Sequence, residues 1–208
     1  DWQDQAVSAR LEFDYAGKRV GSDSPAILWG RNRFICRDDA TERAAVTTLR
    51  NLGFLAAPKE RDLWRLELPE KIWAFLHQGL ASLTSAWAVY WTPAFSQRRA
   101  ASGDLKLQVT AGRETASSFE ARCALTGTDG QSVDWDPVAA AVARNQSFLR
   151  LQDGGIVHLP EFLQRVVRLF ARRAAARVDD HTFRFGLYAA LPLADAVAPY
   201  WSGGPTAW

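Results

Sequence analysis

The stretch Leu63-Trp64-Arg65-Leu66-Glu67-Leu68-Pro69-Glu70 reads as a strand that runs straight into a helix. A second copy of the pattern follows at Gly155-Ile156-Val157-His158-Leu159-Pro160-Glu161. Each apolar run ends at Leu-Pro-Glu. Proline suits a first-turn position, because its fixed φ is already helical and its missing N–H has no partner to lose there. After the first copy, Ile72, Phe75, Leu76, Leu80 and Leu83 recur at helical spacing and form one stripe. After the second, a helix is expected from Pro160 to about Ala176, with Leu163, Val166, Val167, Phe170 and Ala174 as its apolar side. The class is α+β: antiparallel strand meanders with packed helices, in an order that suggests two pseudo-repeated halves. Only Leu-Pro-Glu matches by identity, so chance likeness of two α+β halves is the competing reading.

Outward from these anchors, residues 1–85 read as a first α+β half and 86–208 as a second with a C-terminal extension. Ser8 to Tyr15 alternates, with Ala9, Leu11, Phe13 and Tyr15 on one face, and Ala16-Gly17-Lys18 turns it into Arg19-Val20. A second hairpin runs through Ile27-Leu28-Trp29, turns at Gly30-Arg31-Asn32 and returns through Phe34-Ile35-Cys36. Asp38 or Asp39 then caps a helix. Asp39 with Glu42 resembles a capping box, Val46, Leu49 and Leu52 form the buried stripe, and Gly53 fits the position just past the end. In the second half, Trp87–Trp91, Leu105–Val109 and Phe119–Leu125 read as strands. Arg98-Arg99 falls in a loop after Pro93. Asp136-Pro137 opens a short helix, and Asp153-Gly154-Gly155 turns a further hairpin. The sequence beyond Val197, containing Gly and Pro, reads as a linker or a cut.

Composition bounds the function. With 48% hydrophobic residues, nine Trp and eleven Phe over 208 residues, the chain has ample material for a core. No apolar run reaches the roughly 18–20 residues of a membrane span, and no charged segment followed by an apolar one marks secretion. The chain starts at Asp1 and holds no Met, which reads as a processed chain or an excised fragment. Cys36 and Cys123 are expected as buried free thiols in a reducing, cytoplasmic compartment. Two Cys and three scattered His supply no zinc spacing, so no metal site is expected. Net charge is only +2. Of the 25 basic residues only Lys18, Lys59, Lys71 and Lys106 are lysine. Arginine favours planar partners such as carboxylate or phosphate, although a GC-rich genome gives the same bias.

Catalytic patterns are missing. The one Gly-Lys, Gly17-Lys18, lacks the flanking residues of a phosphate-binding loop and reads as a turn. Neither Gly-x-Ser-x-Gly nor His-Glu-x-x-His occurs. Asp179-Asp180-His181-Thr182 follows a helix without a strand to present it and reads as a solvated loop. His77, His158 and His181 have no discernible nucleophile beside them and read as surface or structural residues. No cofactor and no small-molecule substrate is expected. The most suggestive surface is the last long helix. At about 100° per residue, Arg165, Arg168 and Arg172 fall within about 60° of one another, opposite the Leu163–Ala174 stripe. Arg98 and Arg99 add a second positive focus. These five are the nucleic-acid-binding candidates, through phosphates. The plainer reading is a solvated helix face with Glu161 paired to Arg165 at i, i+4.

Several segments together resemble the helicase-associated region of bacterial SWI/SNF-type ATPases. They are Leu11-Glu12-Phe13-Asp14-Tyr15, Arg37-Asp38 with Glu42, Gly53-Phe54 and Phe75-Leu76-His77-Gln78-Gly79-Leu80-Ala81-Ser82-Leu83. Later come Trp135, Phe148-Leu149-Arg150-Leu151-Gln152-Asp153-Gly154 and Leu159. The resemblance implies an accessory module upstream of a DNA-stimulated ATPase. The first reading is therefore a non-catalytic accessory domain that positions or regulates the attached helicase motor, with DNA or RNA phosphates as a candidate partner of the basic residues named above. ATP and Mg are then expected only for that motor domain. It carries over no defined functional residues. Two other readings compete: a protein-interaction scaffold with no nucleic-acid binding, its contact patch made from exposed Trp and Arg, and an autonomous enzyme with a polar pocket invisible in the sequence.

Overall fold

The computed structural model describes residues 1–200, apart from 4, 22, 23, 25, 26, 30–33 and 59. The chain divides into two compact units, Asp1–Gln97 and Arg98–Trp208. The turn expected at Gly30-Arg31-Asn32 lies outside the described residues.

The first unit begins with β1 (Trp2–Gln3), β2 (Ala6–Arg10), β3 (Glu12–Tyr15), β4 (Lys18–Gly21), β5 (Ile27–Trp29) and β6 (Phe34–Cys36). Helix α1 (Asp39–Asn51) follows, then β7 (Leu55–Ala57), β8 (Glu60–Leu66), α2 (Pro69–Ala74) and α3 (Leu80–Ala86). An antiparallel sheet runs β1-β2-β8-β7, while β3–β4 and β5–β6 are separate hairpins. The alternation from Ser8 to Tyr15 is therefore not one strand. It breaks at buried Leu11, whose N–H donates to Asp62 O at 3.2 Å, so β2 joins the sheet and β3 leaves it. At the tip of β3–β4, Ala16 and Gly17 form the two-residue turn with φ of 54° and 86°, the geometry that twists with the strands. Trp2, Phe54, Leu66 and Ile72 are buried in the core, and Phe54 meets Phe75 edge-on at 5.1 Å.

The stripe after Pro69 is helical, but not uniformly. A π turn at Phe75–Gly79 separates α2 from α3 and admits one extra residue per turn. Phe75, Gly79, Leu80 and Leu83 are buried as a result, while Leu76 is only half-buried and His77 stays exposed. Trp87–Trp91 is not a strand but an irregular segment. Arg98-Arg99 is not in a loop but in the last turn of α4 (Pro93–Ala101). Thr92 explains the helix: its Oγ1 accepts the Phe95 N–H at 3.2 Å, capping a helix that Pro93 opens.

The second unit contains β9 (Gly103–Asp104), β10 (Lys106–Glu114), β11 (Ser118–Thr126), α5 (Trp135–Ala143), β12 (Phe148–Arg150) and β13 (Ile156–His158). Helix α6 (Glu161–Arg173), β14 (Ala174–Arg177), β15 (Thr182–Gly186) and α7 (Ala190–Val197) complete it. One antiparallel sheet runs β10-β11-β15-β14, and a small one runs β12-β13-β9. Along β11, Phe119, Ala121, Cys123 and Leu125 alternate inward as period two requires, giving a face for α5, α6 and α7 to cover. Helix α6 stops three residues short of the expected Ala176. Ala174 turns extended with ψ of 127°, and Ala176 pairs with Arg184 and Arg177 with Phe183. Alanine favours helix, but an open sheet edge beside it decides the matter.

Both units contain a helix, a hairpin, Leu-Pro-Glu and a second helix in that order. The surrounding sheets differ. β8 lies antiparallel to both β7 and β2, whereas β13 is antiparallel to β12 and parallel to β9.

The cap of α1 also differs from the capping-box expectation. Asp38 is the cap, its Oδ1 accepting the Ala40 and Thr41 N–H groups at 3.1 and 3.0 Å. Glu42 turns away to Arg37, whose Nε donates to Glu42 Oε1 at 2.7 Å and whose Nη2 makes a second bond to Oε2. Arg37 also donates to the carbonyls of Gly21 (3.0 Å) and Ser24, and the Tyr15 hydroxyl donates to Glu42 Oε1 at 2.5 Å. The guanidinium bond, first of all, holds the Glu42 carboxyl below its usual range, and burial followed by the Glu42 acceptor pushes the Tyr15 hydroxyl up. The Arg37 and Glu42 side chains are 4% and 11% exposed, so breaking the pair strands a charge. Arg37→Ala is expected to destabilise the chain by on the order of 3 kcal/mol in urea unfolding. Because the folded Glu42 carboxyl titrates low, its contribution is complete above the ordinary Glu range, about pH 4.3, and is lost as pH falls below it. The stability gap between the parent and Glu42→Gln should therefore close in acid; an unchanged gap there contradicts this account.

Candidate nucleic-acid interface

Helix α6 starts where Pro160 ends the hairpin, with Glu161 in the first turn, where a negative charge suits the helix dipole. Leu163, Val166, Val167 and Phe170 are each at most 1% exposed. Phe170 packs on Trp135, Phe183 and Phe185 with ring centroids at 5.6, 5.3 and 5.0 Å. Gln164 shares the buried side without breaking it, because its Nε2 donates to Leu159 O at 2.8 Å. Its polar character hid it from the apolar periodicity.

The inward face fixes the outward one. Arg165 and Arg172 are exposed and Arg168 is half-buried. Arg165 stands 4.0 Å from Glu161 across i, i+4, with side chains 70% and 83% exposed, an arrangement that contributes little. Arg168 Nη2 donates to Asn145 Oδ1 and Gln164 Oε1, both at 3.1 Å. These acceptors are neutral, so they orient the guanidinium without cancelling its charge. Among the described residues neither Arg168 nor Arg172 has a carboxylate within 4.0 Å. Asn145, at φ 56°, ends α5, and Arg144 beside it is exposed. Arg144 is thus a further cation near the stripe that the sequence reading missed, since only the fold brings the end of α5 to α6.

Arg98 and Arg99 form a separate focus. Arg99 is exposed. The Arg98 side chain packs over the β12–β13 turn so closely that a Cβ on Gly154 would lie 2.7 Å from its Nε. Burial, then the Arg98 charge, lowers the pKa of Arg150 on β12. Arg168 meets the turn before β12 and Arg98 the turn after it. The intervening three-residue strand spans on the order of 10 Å.

Elsewhere, the expected solvated loop at Asp179–His181 is held by Arg177, which pairs with Asp136 and, at 3.4 Å, with Asp180. Cys123 is buried as expected, but Cys36 is exposed, because β6 belongs only to the small β5–β6 hairpin. Among the described residues no cluster of three or more His, Cys, Asp or Glu could hold a metal, and no helix is long and apolar enough to cross a membrane.

An α+β chain with a basic, outward-facing helix is what the fold and this surface define. The profile of the family described as bacterial SNF2 helicase associated matches residues 1–199, and the chain belongs to that family. No curated protein and no solved structure matches it.

If the two faces of α6 divide the labour in this way, stability and surface charge separate cleanly. Phe170→Ala is expected to cost about 3–5 kcal/mol in unfolding. Arg165→Ala, Arg168→Ala and Arg172→Ala together are expected to cost no more than about 1–2 kcal/mol, mostly through the Arg168 hydrogen bonds. Comparable losses would place the arginines in the core economy of the unit.

Proposed function

We propose that the chain is a non-catalytic accessory domain of a SNF2-type helicase, which positions or regulates the attached motor and touches nucleic-acid phosphates through α6. Membership in the helicase-associated family supports the attachment to a motor. The observation that carries the phosphate reading is the split of α6: one side sealed in the core, the other holding Arg168 and Arg172 with no carboxylate near them among the described residues. An arginine on neutral acceptors keeps its charge and its remaining donors for a bidentate partner such as phosphate. With a net charge of +2, attraction is local to this face rather than a property of the whole chain. Contacts to phosphate position a protein without reading bases, so binding is indifferent to sequence.

The purified chain is expected to bind duplex DNA weakly, with a dissociation constant of about 10⁻⁴–10⁻⁶ M at physiological salt. Fluorescence anisotropy at a series of salt concentrations should show log K falling with log salt. In the Arg165→Ala, Arg168→Ala, Arg172→Ala variant the slope should flatten by up to about three counterions. The same slope in parent and variant removes α6 from the interface and favours the protein-scaffold reading. ATP hydrolysis by the isolated chain, with or without DNA, should not exceed that of a blank preparation.

A further inference from the structure

A second surface, in the first unit, joins an exposed aromatic ring to a cation. Tyr90 is 76% exposed, and the Arg19 guanidinium lies 5.5 Å from its ring centroid. Arg19 sits on β4 directly across from Asp14, the natural ion-pair partner. Asp14 is turned to the hairpin tip instead, its Oδ1 accepting the Gly17 N–H at 2.7 Å. Among the described residues no carboxylate lies within 4.0 Å of Arg19. The segment that presents Tyr90 is irregular yet anchored at both ends. The Trp87 N–H donates to Leu83 O at 2.8 Å. Trp91 stacks on Phe95 at 4.8 Å with the rings 16° apart, and Thr92 Oγ1 donates to Asp1 Oδ1 at 2.9 Å.

We propose that Tyr90 and Arg19 form a stacking platform for a base of a single-stranded nucleic acid, Tyr90 taking the base and Arg19 the adjoining phosphate. The chemistry favours this occupant over a folded protein surface. A base offers a flat π face to an exposed ring held in place, and its backbone supplies an anion for the Arg19 guanidinium. Double-stranded DNA keeps its bases stacked on one another, so the platform discriminates between the two forms. It is distinct from the α6 face in residues, in unit and in ligand.

The test uses the full chain and a fluorescein-labelled oligothymidylate, with a blunt duplex of equal length as control, read by anisotropy. Tyr90→Ala should weaken oligothymidylate binding by about 5- to 100-fold, the range carried by one stacking ring, and leave duplex binding unchanged. Tyr90→Phe keeps the ring and should bind as the parent does. Arg19→Ala should lower the salt slope for the single strand by about 0.7. Equal binding of the oligothymidylate by the parent and Tyr90→Ala overturns the proposal, as does a parent that does not bind it; the ring then faces a protein surface. A Tyr90→Phe variant as weak as Tyr90→Ala also overturns it, because the hydroxyl and not the ring would be responsible. The α6 triple variant in the same assay keeps the two readings apart, since its duplex binding should weaken with a flatter salt slope while the Tyr90-dependent preference for the single strand is retained.

Discussion

Phe170 decides how the second unit presents itself. Its ring is fully buried and meets Phe183 and Phe185 nearly edge-on, at 86° and 83°, with Trp135 tilted against it. Edge-to-face contacts are directional, so they hold α6 in one rotation about its axis as well as in place. Rotation is what matters for the arginines. A helix free to roll by one residue's angle would carry Arg168 away from Asn145 and bring Gln164 out of the core. The aromatic cluster thus couples strand β15 and helix α5 to the direction in which three guanidinium groups point.

The first unit solves a different problem. Its hairpins β3–β4 and β5–β6 are two-stranded, and such ribbons are marginal alone. Arg37 reaches the carbonyls of Gly21 and Ser24 and the carboxylate of Glu42, while Tyr15 bonds to the same carboxylate. One buried ion pair therefore ties the β3–β4 hairpin, the segment after it and the start of α1 together. Buried pairs of this kind are weak evidence for net stability; what this one supplies is a shared set of directional bonds among three segments that pair with no larger sheet among the described residues.

Much of this was legible in the sequence wherever the signal is local. The α6 stripe, the inward alternation of β11, Gly53 at φ 90° and the Ala16-Gly17 turn all appear where periodicity and turn chemistry place them. Misreadings arose where tertiary contact overrides a local preference. Ala174–Ala176 has helical composition but completes a sheet edge, and the aromatic run Trp87–Trp91 has strand composition but no neighbouring strand to pair with among the described residues. The candidate surface was half visible. Helical geometry put Arg165, Arg168 and Arg172 on one face, yet nothing local announces that Arg168 is held by Asn145, 23 residues away, or that Arg98 lies over Gly154. Glu42 shows the same limit: three residues from Asp39 it mimics a cap, and only the fold supplies Arg37 and Tyr15.

The two thiols have an unplanned consequence. Cys36 is open to solvent, while Cys123 lies within the core of the second unit, where burial pushes its thiol up and keeps it from the reactive thiolate form. An alkylating reagent meets one reactive group on the native chain and two once that core opens. The number of adducts per molecule, read by mass, is therefore a built-in gauge of whether the second unit is closed, and it needs no added label.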